Sequence, residues 1–273
     1  MKKQAQDGAK KPFEYVASTY DEIPFFKLSA SHVLDIIKQH TSRSTLTVLD
    51  VACGTGNVAL ACATQMKEST FDAIDISEGM LAKAKENASA NKLDNINFHV
   101  QDVTKLDSDK KYHIITCSYA MFFLPEAPRV LQSLVARLRP RGIVIFTTFT
   151  AQAFSPSDQI LLPLLEKYGS KRAKEYDMDK WENLSHKKDI ERLCILSYVT
   201  DMQIQTQEIR YGMSIDEWWE LLNNTSYKGM LMELSAEDYE YVKLEYYEGM
   251  FKHADKDGEV ELIADSYFVV VKK

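Results

Sequence analysis

The sequence predicts an α/β fold built around a doubly wound, mostly parallel sheet of seven strands. Short apolar runs alternate with segments of helical pattern, and a pair of glycines, Gly54 and Gly56, follows the first run. Strands that are separated by helices connect through right-handed crossovers, which produce a parallel sheet with helices on both faces. Two later strands, separated from each other by helices, are expected to add an antiparallel pair at one edge.

Five strands are predicted before residue 150. They cover residues 45–51, 70–76, 95–100, 112–117 and 143–149. Helices are predicted at residues 28–40, 58–66 and 78–91, and a further helix ends near residue 138. Because the carboxyl ends of these strands meet at one edge of the sheet, we expect a ligand site at that edge.

The second half of the chain has a different pattern. Residues 150–199 contain short helical stretches without a strand, and strands are predicted at 202–211 and 259–272. Between these strands one helix begins at Ser214, which forms a capping box with Glu217, and another begins after Ser235. We therefore divide the chain into an N-terminal helical cap (1–44), a ligand-binding core (45–149), a cap or substrate segment (150–200) and a C-terminal part (201–273) that completes the sheet and its antiparallel edge pair.

Composition and charge restrict the kind of partner. The 273 residues carry a net charge of −7, which argues against the basic face that nucleic-acid-binding proteins usually have. No apolar run reaches the ~20 residues that a membrane-spanning helix needs. The four cysteines are scattered, without the spacing of a zinc site. We expect a cytoplasmic protein without a metal, a membrane span or a nucleic-acid partner, and leave monomer and homodimer both open.

The most informative segment is the loop after the first strand. Its glycines allow a tight turn and a close approach of a ligand to the backbone, next to the free N–H groups of a helix N-terminus. Asp75 ends the second strand, where a carboxylate can accept hydrogen bonds from a ribose diol, and we expect its side chain to face an open cleft. Gln101 and Asp102 end the third strand, within reach of an adenine amino group. Together these residues predict a nucleoside site.

Two other readings of the same loop remain. Gly54, Gly56 and Ala59 also match the G-x-G-x-x-A fingerprint, so an NAD(P)-dependent oxidoreductase is an alternative. Asp50 weighs against it, because a negative charge beside the loop opposes a pyrophosphate and favours a cationic ligand. The second alternative is a catalytically silent cofactor-binding subunit of a larger assembly.

These segments resemble a known family. Residues 49–56 (Leu-Asp-Val-Ala-Cys-Gly-Thr-Gly) resemble motif I of the class I S-adenosylmethionine-dependent methyltransferases. Residues 75–81 resemble their second motif, Gln101-Asp102 their third, and residues 138–142 the turn before their fifth strand. The resemblance implies a Rossmann-like fold, S-adenosyl-L-methionine as the cofactor, and methyl transfer by in-line displacement.

The N-terminal segment indicates a subgroup within this family. Tyr20-Asp21 is similar to the entry segment of the methyltransferase type 11 group, which includes ubiquinone and menaquinone biosynthesis enzymes. The family places Asp50 and Gly54 near the methionine part of the cofactor, and Cys117 and Ser118 near the transferred methyl group. The full cofactor set that the resemblance implies is Tyr20, Asp50, Ala52, Gly54, Gly56, Asp75, Ile76, Met80, Gln101, Asp102, Val103, Cys117 and Ser118.

The acceptor is predicted less directly. Residues 118–124 lack the Asn/Asp-Pro-Pro-aromatic motif of many nucleic-acid and protein methyltransferases, and they contain no acidic group. We therefore expect a small-molecule acceptor that is methylated at oxygen, carbon or sulfur. The candidate substrate residues are Met121, Phe122, Trp181 and Trp218, with packing in the core or cap as the alternative for each. His186 is the candidate general base, needed only for an acceptor of high pKa.

Overall fold

The computed structural model describes residues 13–14, 16–106, 109–177 and 180–273. Its strands are β1 (Thr47–Val51), β2 (Thr70–Asp75), β3 (Ile96–Val100), β4 (Tyr112–Ser118), β5 (Leu138–Phe149), β6 (Met202–Gln207), β7 (Arg210–Ser214), β8 (Glu259–Ile263) and β9 (Ser266–Lys272). The main sheet has seven strands in the order β3–β2–β1–β4–β5–β9–β6. Strands β1 to β5 are parallel, and β9 runs antiparallel to both of its neighbours, β5 and β6. The predicted fold class, including the antiparallel edge pair, is confirmed.

Helices cover both faces of this sheet and extend beyond its carboxyl edge. They are α1 (Pro24–His40), α2 (Asn57–Gln65), α3 (Glu78–Ala90), α4 (Ala127–Ala136), α5 (Ser157–Lys167), α6 (Lys171–Glu175), α7 (Lys187–Leu196), α8 (Ile215–Asn223), α9 (Lys228–Leu231) and α10 (Ala236–Phe251). Short 3-10 turns occur at Tyr20–Glu22, Val103–Lys105, Met121–Phe123 and Trp181–Asn183. None of the helices in the described ranges is long and apolar enough to cross a membrane.

Alternate residues of the central strands pack against opposite helical layers. Val48 of β1 belongs to the same buried cluster as Val33 of α1 and Val58 of α2. Its neighbour Leu49 belongs to a cluster on the other face, together with Leu131 of α4. A strand that is buried on both faces must be apolar at nearly every position, which explains the unbroken apolar runs in the sequence.

The two C-terminal strands differ from their prediction. Each predicted run, 202–211 and 259–272, is divided between two sheets, because β7 and β8 form a separate antiparallel pair. Asp265 lies at the division. Its carboxylate accepts a hydrogen bond from the Ile209 N–H at 3.1 Å and forms an ion pair with Arg210. Residues on both sides of each division are typical of strands, so the sequence pattern does not reveal that the chain changes sheets.

Helices α5, α6 and α8 to α10 and the β7–β8 pair form a cap with its own apolar core, whereas α7 packs in the core of the main sheet. Trp218 and Tyr246 are fully buried at its centre, together with Leu161 of α5. Phe25 at the start of α1 belongs to the same cluster, and Phe149 at the end of β5 packs against it. The cap therefore lies against the carboxyl end of the sheet, where a ligand site was predicted.

Candidate functional site

The loop after β1 has the backbone shape that the sequence predicted. Ala52, Gly54 and Gly56 have φ angles of 51°, 55° and 89°, in the left-handed region that glycine adopts without strain. A Cβ atom on Gly54 would have the Tyr20 ring, at 4.0 Å, as its closest neighbour. Gly56 instead forms the N-cap of α2, and its Cβ position is close to Leu60. Gly54 thus offers open space for a ligand, whereas Gly56 starts the helix.

Asp75 is bound to this loop more tightly than predicted. Its Oδ2 accepts a hydrogen bond from the Gly54 N–H and its Oδ1 accepts one from the Ser77 N–H, both at 2.8 Å. Only 9% of the residue is exposed, and burial raises the pKa of its carboxyl group. The expectation of a side chain facing an open cleft is therefore wrong in part, because Asp75 also holds the loop. The backbone N–H groups of Ser77, Gly54 and Ile76 all lower the pKa of this carboxylate, and because a carboxylate has about four acceptor positions, room for a ligand hydroxyl remains.

Asp50 lies behind the loop. Its Oδ2 accepts a hydrogen bond from the Ala59 N–H at 3.2 Å, and its Oδ1 accepts one from the Thr116 hydroxyl at 2.7 Å. The residue is 2% exposed, and burial raises its carboxyl pKa to about 7, against the hydrogen bonds, which lower it. Asp50 thus connects β1 to α2 and β4. It borders only a recess of about 50 Å³ behind the loop.

A cavity of about 440 Å³, called the loop cavity below, lies where β1 to β4 end. The predicted cofactor residues that line it are Tyr20, Ala52, Gly54, Asp75, Ile76, Met80, Gln101, Asp102, Val103 and Ser118. The remaining three predicted residues, Asp50, Gly56 and Cys117, do not line it. Cys117 in particular is fully buried in the core, because its position in β4 points its side chain into the packed layer. Ten of the thirteen predicted cofactor residues therefore line this cavity.

Asp102, which follows β3, lines the loop cavity. Its Oδ1 accepts hydrogen bonds from the Thr104 N–H at 2.9 Å and the Thr104 hydroxyl at 2.7 Å. Burial alone would raise its carboxyl pKa, but these bonds and Lys105 lower it. Asp102 is thus an ionised acceptor at the cavity edge.

The N-terminal segment closes one side of the loop cavity. Asp21 accepts hydrogen bonds from the Thr55 hydroxyl at 2.5 Å and from the Asn87 amide at 2.7 Å. These bonds attach the 3-10 turn that contains Tyr20 to the glycine loop and to α3. Sequence reasoning missed Thr55 and Asn87, because residues so distant in the chain give no local signal of their contact.

A second cavity, of about 450 Å³, lies under the cap and is called the aromatic cavity. Its lining includes Phe25, Phe26, Phe149, Phe154, Tyr176 and Tyr227. Both cavities share a wall of five aromatic residues, which are Phe13, Tyr20, Tyr119, Phe122 and Phe123. Within and beside this shared wall, Tyr20 stacks on Phe26 at 4.6 Å and Tyr119 stacks on Phe149 at 4.3 Å between ring centroids. Most of these rings were not predicted, because only the tertiary fold brings them together.

The structure places the predicted substrate residues and His186 in different environments. Phe122 and His186 line the aromatic cavity, and His186 is exposed. Trp218 does not face a substrate, because it is fully buried in the cap core and its indole N–H donates to the Val260 carbonyl at 3.1 Å. Met121 is fully buried in the sheet core, and Trp181 packs against Arg192 outside the lining of both cavities. The core and cap packing alternative therefore holds for these three.

Two buried polar atoms support ligand binding at these cavities. The Ser118 hydroxyl in the loop cavity and the Thr150 hydroxyl in the aromatic cavity have no hydrogen-bond partner in the part of the chain that the structure describes. Buried polar groups are usually paired, so each is available to a bound ligand. Within the same ranges, no three His, Cys, Asp or Glu side chains are grouped as metal ligands.

Comparison with known proteins identifies the family. A family model described as "Methyltransferase domain" matches residues 42–214, which contain the glycine loop and the ends of β1 to β5. The chain belongs to this methyltransferase-domain family. The match covers the residues that form the loop cavity apart from the N-terminal segment around Tyr20.

The methyltransferase domain has curated relatives of moderate identity. The malonyl-[acyl-carrier protein] O-methyltransferase of Bacillus anthracis is 26% identical over 146 residues, 53% of each chain. One such enzyme of Ilyobacter polytropus is 30% identical over 137 residues, 50% of each chain. The chain thus spans about half the length of the curated relatives it matches.

Solved structures share the fold. The YcgJ protein of Bacillus subtilis has a TM-score of 0.58 at 16% identity, covering 89% of this chain and 98% of its own. The plantazolicin methyltransferase BpumL, solved in complex with SAH, has a TM-score of 0.54 at 15% identity, covering 100% of this chain and 98% of its own. At such low sequence identity, these two structures show only that the fold is shared.

Proposed function

We propose that this chain binds S-adenosylmethionine in the loop cavity and transfers its methyl group to a small molecule in the aromatic cavity. The observation that carries this proposal is the wall that the two cavities share. Two ligands, one in each cavity, would lie next to each other beside Tyr20, Tyr119 and Phe122, which line both cavities. Such an arrangement holds two reactants at a fixed distance, which is the main requirement of a direct displacement.

The residues of the loop cavity fit this cofactor. Gly54 lets the ligand approach the backbone, Asp75 accepts the ribose hydroxyls, and Asp102 with Val103 borders the adenine. The unpaired Ser118 hydroxyl at the end of β4 is available to the methionine part. The Asp75 carboxylate, which lines the loop cavity, attracts a ligand whose sulfur is positive, and low local polarity strengthens that attraction.

The chemistry is a transfer of one carbon. The cofactor supplies an electrophilic methyl group, whose bond to sulfur breaks as a lone pair of the acceptor forms the new bond. The chain's own residues orient the acceptor and exclude water, because the aromatic rings of the shared wall and the N-terminal segment cover the meeting point. His186, which lines the aromatic cavity, is the candidate to take the proton of an acceptor of high pKa.

Thermal unfolding with added nucleotides tests the cofactor. S-Adenosylmethionine and S-adenosylhomocysteine should each stabilise the protein by about 2.7 kcal/mol at a hundredfold excess over the dissociation constant. NAD and NADP should have no effect. A shift with NAD or NADP alone would support the oxidoreductase alternative and overturn the proposal.

A further inference from the structure

The aromatic cavity contains a buried acid that the proposed transfer does not use. Asp158, the second residue of α5, is 6% exposed and lines the aromatic cavity but not the loop cavity. Its Oδ1 accepts a hydrogen bond from the Gln159 N–H at 2.8 Å. No Lys, Arg or His within the described ranges forms an ion pair with it. A buried carboxylate without a cationic partner is costly unless a ligand supplies one.

Two tyrosines, Tyr176 and Tyr227, line the same cavity as this carboxylate, and Tyr176 is 44% exposed. Burial, with the charge of Asp158, raises the pKa of the Tyr176 phenol. Burial also raises the pKa of the Tyr227 phenol, with Tyr176 and Asp158 contributing. Both phenols line the cavity and stay neutral at physiological pH, and the Tyr227 ring packs edge-on against Phe154 at 6.3 Å. Aromatic faces beside a carboxylate form a site that attracts cations, because both bear negative electrostatic potential.

The other charged groups of this cavity do not cancel Asp158. Arg172 lines the cavity, but its Nε forms an ion pair with Glu233 at 3.2 Å, and its backbone N–H donates to the same carboxylate. That pair leaves Arg172 neutralised. His186 is exposed to solvent on the cavity lining. The net charge of the buried part is therefore that of Asp158.

We propose that the aromatic cavity binds its acceptor through a protonated amine, held by the Asp158 carboxylate beside the rings of Tyr176 and Tyr227. This inference rests on the proposed function only in making that molecule the methyl acceptor. Because Asp158 lies outside the wall that the two cavities share, the ammonium group is an anchor and is not the methylated atom. A protonated amine also has no lone pair with which to accept a methyl group. The acceptor is thus a small molecule with an ammonium group at one end and the nucleophilic atom at the other.

Three matched probes test the charge preference. Calorimetric titration of the protein, with and without saturating S-adenosylhomocysteine, would use tyramine, its neutral counterpart p-propylphenol and its anionic counterpart p-hydroxyphenylpropionate. Tyramine should bind about tenfold or more tightly than p-propylphenol, since hydrogen bonds between charged groups are the strong ones. Equal binding of the two, no binding of tyramine, or a preference for the anion, which would indicate Arg172, overturns the proposal.

Asp158→Asn should abolish the preference for tyramine. Asp189→Asn is the control, because Asp189 is equally buried in the first turn of α7 and lines neither cavity. Thermal unfolding of both variants confirms that they fold. Retention of the preference in Asp158→Asn overturns the assignment. Failure of S-adenosylhomocysteine to bind, with the tyramine preference intact, would overturn the proposed function and leave the cation site standing.

Discussion

The Asp75 carboxylate accepts a hydrogen bond from the Gly54 N–H at 2.8 Å. This bond joins the end of β2 to the loop after β1, and both residues line the loop cavity. One residue thus shapes the loop and offers its remaining lone pairs to a ligand. Stability and cofactor affinity are therefore coupled at Asp75, which the sequence pattern alone did not indicate.

Asp75→Asn should weaken both properties. An asparagine has one acceptor oxygen, so either the Gly54 or the Ser77 N–H loses its partner and a ribose hydroxyl loses a charged acceptor. We expect cofactor affinity to fall about ten- to a hundredfold and the free energy of unfolding to fall by about 1–3 kcal/mol. Calorimetric titration and urea unfolding measure the two effects.

The control for Asp75 is Glu78→Gln, which removes one exposed charge from the first turn of α3 outside the cavity lining. It should change neither quantity. An affinity of Asp75→Asn within about twofold of the parent would show that Asp75 serves the loop only.

Gly54→Val should abolish cofactor binding and leave a folded protein. A β-branched residue at φ 55° is strained, and its side chain would occupy the space beside Tyr20 that the ligand needs. Gly258→Val is the matched control, because Gly258 has φ 81° and no atom within 4 Å of its Cβ position. The control should lose stability through backbone strain yet bind S-adenosylhomocysteine normally. Normal binding by Gly54→Val would mean that the loop is only a turn.

Asp21→Ala should release the N-terminal segment from the loop. The variant loses the bonds from Thr55 and Asn87, so we expect cofactor affinity to fall about tenfold and hydrogen exchange of the Tyr20–Glu22 turn to increase. Glu22→Ala is the control, since Glu22 is an exposed acid of the same turn.

In the parent protein, bound cofactor should slow hydrogen exchange in the Tyr20–Glu22 turn and in residues 150–198. Unchanged exchange in both segments would contradict a closing role.

Asp50→Asn should change how stability depends on pH. Burial raises the folded-state pKa of Asp50 from 3.8 to about 7, so the folded protein holds a proton that the unfolded chain has lost. The contribution of Asp50 to the free energy of unfolding therefore falls as the pH rises from the unfolded-state pKa of 3.8 to the folded-state pKa of about 7, and it levels off at higher pH. The free energy of unfolding of the variant, relative to that of the parent, should therefore increase by a few kcal/mol between about pH 4 and about pH 8, since one pKa unit corresponds to about 1.4 kcal/mol.

Urea unfolding at a series of pH values measures this gain. Asp72→Asn is a control of opposite sign. Although burial raises the carboxyl pKa of Asp72, hydrogen bonds from Lys110 and Tyr112 lower it overall. Its stabilising contribution is therefore lost as pH falls, and the variant should lose stability relative to the parent at neutral pH. A difference between Asp50→Asn and the parent that does not vary with pH would refute the raised pKa.

The parallel sheet and ten of the residues that line the loop cavity were predictable from the amino-acid sequence. Apolar strands that end beside Gly54, Asp75 and Asp102 are local signals, because each residue follows directly from the strand before it. The order of strands along the chain then brings those ends to one edge. The division of the C-terminal strands between two sheets was not predictable, since Asp265 makes the decisive contacts with residues that are far away in the chain.

The residues of the acceptor side could be recognised only in the folded chain. Trp218 and Phe149 are both large aromatic residues, yet one fills the cap core and the other lines the aromatic cavity. Their roles depend on which surfaces the cap leaves uncovered, and no local spacing encodes that. Asp158 has the sequence position of an ordinary first-turn acid. It becomes a candidate anchor only because the fold buries it, without a cationic partner, at a cavity that Tyr176 and Tyr227 also line.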